Sequence, residues 1–135
     1  MHGISLTSSP AEVKPPGASV KLSFQISGYA LTSYSTDWIR QPAGKALEWI
    51  GCICGSGSTL YSEKLKSSFQ VSRDTSSSTV TLTGQNMQTE DTAVYHCARY
   101  PHFYIIISIS SSTDNYYHEN VFFNPCAYYT DSIMF

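Results

Sequence analysis

Charge is in short supply. Asp, Glu, Lys and Arg make up 13% of the 135 residues and leave a net charge of −2. No basic cluster occurs, which argues against nucleic acid as a partner, and long charged helices have no raw material. Long apolar runs are missing too. No window holds eighteen consecutive apolar residues, so no insertion into a membrane is expected. Met1 to Pro10 has neither a charged start nor an apolar run and does not read as a signal peptide. Four cysteines suggest an oxidising compartment, but their spacing forms no clean disulfide framework.

What is abundant is Ser, Thr and Tyr, arranged in short alternating stretches between turn signals. Val20, Leu22, Phe24 and Ile26 alternate with Lys21, Ser23, Gln25 and Ser27, the pattern of a half-buried strand. Ile4 and Leu6 give a short first strand, and Lys14-Pro15-Pro16-Gly17 a turn. A strand around Trp38 and another from Leu47 to Gly51 flank the turn Pro42 to Lys45. Gly55-Ser56-Gly57-Ser58 reads as a hairpin tip. Phe69 and Val71, then Val80 and Leu82, each mark one face of a strand, with Asp74 to Ser77 as the turn between them. Met87 to Glu90 reads as a short helical turn. It leads into Ala93, Tyr95 and Cys97, whose period of two turns one side of a strand inward. A chain of this length and pattern suits one all-β domain, a sandwich of two antiparallel sheets.

Catalytic chemistry finds little purchase. Cys52-x-Cys54 has neither redox spacing nor a second pair at zinc spacing, so no metal or cofactor is expected. His96 and Cys97 form no dyad, because adjacent strand residues point to opposite faces. His102 and His118 stand in the unreadable tail and are expected to be solvated. No phosphate-binding glycine loop follows a strand, and no nucleophile, base and acid fall into a recognisable arrangement. A binding module is expected, not an enzyme.

A family resemblance rests on Trp38-Ile39-Arg40-Gln41-Pro42, Gly44-Lys45, Leu47-Glu48-Trp49-Ile50-Gly51, Ser72-Arg73-Asp74 and Asp91 to Arg99. Together they resemble an immunoglobulin heavy-chain variable domain over about residues 4–99. Tyr95, two residues before Cys97 and after Asp91-Thr92-Ala93, is similar to the tyrosine corner of that fold. The resemblance implies a V-type sandwich over residues 1–99 with a core of Phe24, Trp38, Tyr95 and Cys97. Residues 28–35 and 53–59 correspond to the first two hypervariable loops, and residues from 98 onward begin the third.

Three departures stand out. Phe24 occupies the place where the family carries the cysteine that bridges to Cys97. A domain less stable than its relatives is therefore expected, in which Cys97 is a buried, unreactive thiol and an oxidised Phe24→Cys variant gains stability. Ser68 stands where the family usually has an Arg that pairs with the acid matching Asp91. Nothing after Arg99 resembles a joining segment. Residues 100–135 are thus either an atypical third loop or, the reading preferred here, read-through from a V segment that was never joined. An irregular tail is expected, except that Phe103 to Ile109 has strong β propensity and should extend from or pair beside the preceding strand. A bridge from Cys52, at the floor of the loops, to Cys126 in the tail is also expected.

The resemblance implies antigen recognition in adaptive immunity, outside the cell or on a B-cell surface. The antigen-contacting set would be Tyr29, Ser33, Tyr34, Ser35, Ser56, Ser58, Tyr61, Arg99 and Tyr100. Tyr offers large contact area at small entropic cost, and Ser adapts its hydrogen bonding. Ile39, Gln41, Leu47 and Trp49 would lie on the outer face of one sheet, an exposed apolar patch suited to a light-chain variable domain. Two other readings stay open: the product of an unrearranged or non-functional germline segment, and an immunoglobulin-like cell-surface recognition protein outside antibodies.

Overall fold

The computed structural model describes residues 5–100, 105–109 and 115–117. In chain order the strands are β1 (Ser5–Ser8), β2 (Val20–Ser27), β3 (Ser35–Gln41), β4 (Glu48–Ile53), β5 (Thr59–Tyr61), β6 (Phe69–Asp74), β7 (Thr79–Gly84), β8 (Val94–Tyr100), β9 (Ile105–Ile109) and β10 (Asn115–Tyr117). They form two antiparallel sheets, one ordered β1-β2-β7-β6 and the other β10-β9-β8-β3-β4-β5. Short 3₁₀ turns lie at Leu31–Ser33 and Thr89–Asp91. The second is the helical turn expected from Met87 to Glu90, displaced toward the Asp.

Alternation explains the sandwich. Leu22, Phe24 and Ile26 of β2 are buried while Lys21, Gln25 and Ser27 are exposed. They join Val80 and Leu82 of β7, Phe69 and Val71 of β6, and Trp38, Ile50, Tyr95 and Cys97 of the other sheet in one core. Two half-apolar sheets reach a stable state by burying these faces against each other. The reversal at Pro16-Gly17 forms as expected, with Gly17 at φ 87° and Ala18 N donating to the Pro15 carbonyl at 3.1 Å.

The substituted cysteine position is filled by packing. Phe24 is 0% exposed, and its ring lies 5.7 Å from that of Trp38 at 46°. Trp38 pairs with Cys97 across β3 and β8. Cys97 is a free, buried thiol. Burial pushes its pKa well up, and the charge of Asp37 adds to the shift, so the reactive thiolate is suppressed.

The corner forms as expected. Tyr95 Oη donates to the Asp91 carbonyl at 2.5 Å. The missing Arg at Ser68 does not orphan Asp91. Its carboxylate accepts from Gln88 N at 2.8 Å and from Arg40 Nη1 at 2.8 Å. Arg40 Nε reaches Glu48 Oε1 at 2.8 Å, and Lys64 Nζ reaches Glu48 Oε2 at 3.0 Å. Burial by itself would lower the Arg40 pKa, but hydrogen bonds to Asp91, Tyr95 and Glu48 more than offset it.

The sheet continues past residue 99. β9 pairs antiparallel with β8, Ile107 opposite Cys97 and Ile109 opposite Tyr95, and β10 pairs with β9. The expected strand is thus present over Ile105–Ile109, while Phe103 and Tyr104 lie outside the described residues, as do His102, His118 and Cys126. The expected Cys52 bridge is overturned. Cys52 is a buried thiol inside β4, opposite Asp37 and Leu60, whereas Cys54, just beyond the strand end and half-buried, is disulfide-bonded.

Candidate functional site

Three chain segments meet at one end of the sandwich. The first is the loop from Gly28 to Tyr34, which carries the Leu31–Ser33 turn with Leu31 buried beneath it. The second is the hairpin tip between β4 and β5. There Cys54 N donates to the Ser58 carbonyl at 2.8 Å and Gly57, at φ 101°, donates to the Cys54 carbonyl at 2.9 Å. The third is the end of β8.

Arg73 ties the first two segments. Its Nη1 donates to the Leu31 and Cys54 carbonyls, both at 3.1 Å, and its Nη2 to the Gly55 carbonyl at 2.7 Å. The two loops also touch directly. A Cβ on Gly55 would sit 2.6 Å from the Thr32 carbonyl oxygen, so only Gly permits the approach. Arg99 ties the third segment to the first, its guanidinium stacked 4.8 Å from the Tyr29 ring and 4.2 Å from the Tyr34 ring. Those rings meet edge-on at 5.3 Å. Burial, ahead of the charge interactions, holds the Tyr29 phenol well above its ordinary pKa, so it stays neutral.

The residues expected to contact ligand divide into two groups. Ser33, Ser56 and Ser58 are exposed, and Tyr29 and Tyr34 are half-buried, the Tyr29 hydroxyl lying beneath the surface. Ser35 and Arg99 are buried, and Tyr61 turns its hydroxyl inward, where Val71 N donates to it at 2.9 Å. Of Tyr100 only the backbone in β8 is described. Sequence reasoning missed Arg73 and Asp37. Arg73 was signalled only by its place in Ser72-Arg73-Asp74, and Asp37 by sharing the outward face of β3 with Ile39 and Gln41.

That outward face carries the second cluster. Ile39 and Ala98 are packed with half-buried Leu47 and Trp49, and half-buried Gln41 donates through Nε2 to the Lys45 carbonyl at 3.1 Å. The expected open patch is therefore corrected at Ile39, which is 1% exposed: it sits in β3 between β4 and β8 and is covered by its neighbours. Next to it lies a buried acid. Asp37 is 0% exposed, opposite Cys52 on one side and Ala98 on the other. Trp49 Nε1 donates to its Oδ2 at 2.8 Å. Burial raises the Asp37 pKa to about 7, and hydrogen bonds from Trp49 and Ser35 hold it from rising further.

A cavity of about 230 Å³ opens among Pro15, Pro16, Leu22, Met87 and Tyr95, residues of the N-terminal turn and the corner and none of the loop residues above. Among the described residues no cluster of His, Cys, Asp and Glu is arranged to hold a metal ion, and no helix is long and apolar enough to cross a membrane.

Comparison with known proteins agrees with this geometry. Residues 8–115 match the model of the immunoglobulin V-set domain. Over 89 residues the chain is 45% identical to the mouse protein described as Ig heavy chain V region MOPC 141, an alignment spanning 66% of this chain and 62% of that relative. The chain thus covers less than two thirds of the relative's length. With the two-sheet sandwich, the tyrosine corner and a family match that runs through β9 into the start of β10, the chain belongs to the immunoglobulin V-set family.

Proposed function

We propose that the protein recognises antigen as the heavy-chain variable part of an immunoglobulin, outside the cell or at the B-cell surface, and has no catalytic role. The observation that carries this reading is the meeting of the loop at 28–34, the tip at 54–58 and the end of β8, pinned by Arg73 and Arg99. Ser33, Ser56 and Ser58 supply exposed contact chemistry, half-buried Tyr29 and Tyr34 add ring surface, and Tyr100 belongs to the same contact set. Ser35, Tyr61 and Arg99 hold the platform. Residues 1–99 form the variable-type unit. Residues 100–135 are an atypical third-loop and tail segment of the sequence, whose described stretches 105–109 and 115–117 add strands to the sheet.

The partner is a light-chain variable domain docked on Gln41, Leu47 and Trp49, with Ile39 as the buried backing of that face. Half-buried Trp and Leu side by side suit an interface core better than solvent. The test is association of the chain with a panel of light-chain variable domains. Leu47→Arg is the cleaner probe, because Trp49→Ser also breaks the hydrogen bond to Asp37. Leu47→Arg should weaken association at least tenfold, about 1.4 kcal/mol, and raise the solubility of the isolated chain. Unchanged association across the panel removes the interface.

A further inference from the structure

The pairing face contains a buried acid that the loops and the core do not use. Asp37 lies wholly beneath the surface, and the indole of Trp49 donates to it at 2.8 Å. Trp49 is itself half-buried, packed with Leu47 against Ile39 and Ala98. One titratable group thus touches the back of an interface residue while having no solvent contact.

We propose that docking of a partner domain on this face is proton-linked, with the Asp37 carboxylate fixing the Trp49 indole for pairing and protonation of Asp37 loosening it. This rests on the pairing reading above. An ionised carboxylate makes a shorter and stronger bond to an N–H than a neutral acid does, so ionisation narrows the orientations of the ring. A ring already held in its docked orientation loses less entropy on binding. Asp37 is already dry in the isolated chain, so a docking partner removes no further water from it. The preorganisation of Trp49 therefore sets the sign, and pairing weakens as pH falls.

Among the described residues, Asp37 and His96 are the groups on this face with an ordinary or raised pKa near neutrality. On β3 its neighbour is the neutral Ser35, which also hydrogen-bonds it. On β4 it faces Cys52, whose thiol burial keeps protonated. On β8 it faces Ala98. His96, one pair further along the same face, is the group from which its effect must be separated. Arg99 lies next in β8, and its guanidinium goes to Tyr29 and Tyr34. The sequence of β9, Ile-Ile-Ile-Ser-Ile, brings no titratable side chain. The Asp37 carboxyl, raised to about 7 by burial, then changes state near neutrality.

The experiment has two readouts. In the isolated chain, the indole N–H resonance of Trp49, assigned with Trp49→Phe, is followed from about pH 5 to 8.5 and should titrate once, near pH 7. It should lose that titration in Asp37→Asn and keep it in His96→Gln. In the second, the affinity for a light-chain variable domain should fall about five-fold between pH 8 and 5.5 and become flat in Asp37→Asn. An indole insensitive to pH, or a titration that vanishes with His96→Gln and survives Asp37→Asn, overturns the proposal whatever the pairing does. If the indole titrates but no light chain binds at any pH, the pairing reading is what fails. If pairing occurs and is equally tight at both pH values, the proton linkage fails alone.

Discussion

Phe24 packs its ring 5.7 Å from Trp38, in the same core that buries the Cys97 thiol. An aromatic contact occupies the place of a covalent bridge. With Phe24 at 0% exposure, the gain expected of Phe24→Cys from sequence must be reduced by the cavity it opens. Reduced Phe24→Cys should fall below the parent by about 3 kcal/mol. Oxidation, which joins the introduced thiol to Cys97, should restore about 2–4 kcal/mol and leave the oxidised variant near the parent. Denaturant titration of both forms checks this. Two forms of equal stability would mean that position 24 does not reach Cys97.

Asp91 is the hub of the corner. It accepts from Arg40 and from Gln88 N, and its carbonyl takes the Tyr95 hydroxyl. Asp91→Ala leaves the buried Arg40 guanidinium with Glu48 as its remaining carboxylate partner. The expected loss is about 1.5–3 kcal/mol, the range for a charge-assisted hydrogen bond, since Arg40 keeps Glu48. Urea unfolding is the measurement, and a loss under about 1 kcal/mol would place the pair among weak surface bridges.

Stability should depend on pH through Asp37. Its folded pKa of about 7 lies above its ordinary 3.8, so the folded chain holds more protons across that window. Stability is therefore highest below 3.8 as far as this group is concerned, falls as pH rises, and levels off above 7. The full span is on the order of 4 kcal/mol. Asp37→Asn keeps an acceptor for Trp49 Nε1 and has nothing to ionise. It should be more stable than the parent at about pH 8 and lose that advantage by about pH 4. Thermal unfolding across pH decides it, and parallel curves for the two proteins would show that Asp37 carries no such cost.

Gly55→Ala should separate the first two loops, because its new Cβ meets the Thr32 carbonyl at 2.6 Å. Arg73→Met removes the three hydrogen bonds that hold the same loops. Each should cost about 1–3 kcal/mol and speed amide exchange at Gly57 and Ser58, with exchange in β2 and β7 changed only by the global loss. Exchange raised equally throughout would deny a local tie.

The sequence by itself determined the sandwich. The period of two in β2 and β8 allows one buried face per strand, and Pro, Gly and Asp at the turns fix where strands reverse. It also marked the corner, because Tyr95 and Asp91 are close in the chain and their bond is local. Tertiary structure alone decided which loop residues remain open. Ser35, Tyr61 and Arg99 were grouped with Ser33, Ser58 and Tyr34 on sequence, yet they are buried or turned inward by strands and rings distant in the chain. It decided the partner of Asp91, since Arg40 lies 51 residues away in the chain. It also decided the state of Asp37, whose proton affinity depends on the water excluded by β4 and β8 and not on its neighbours in the chain.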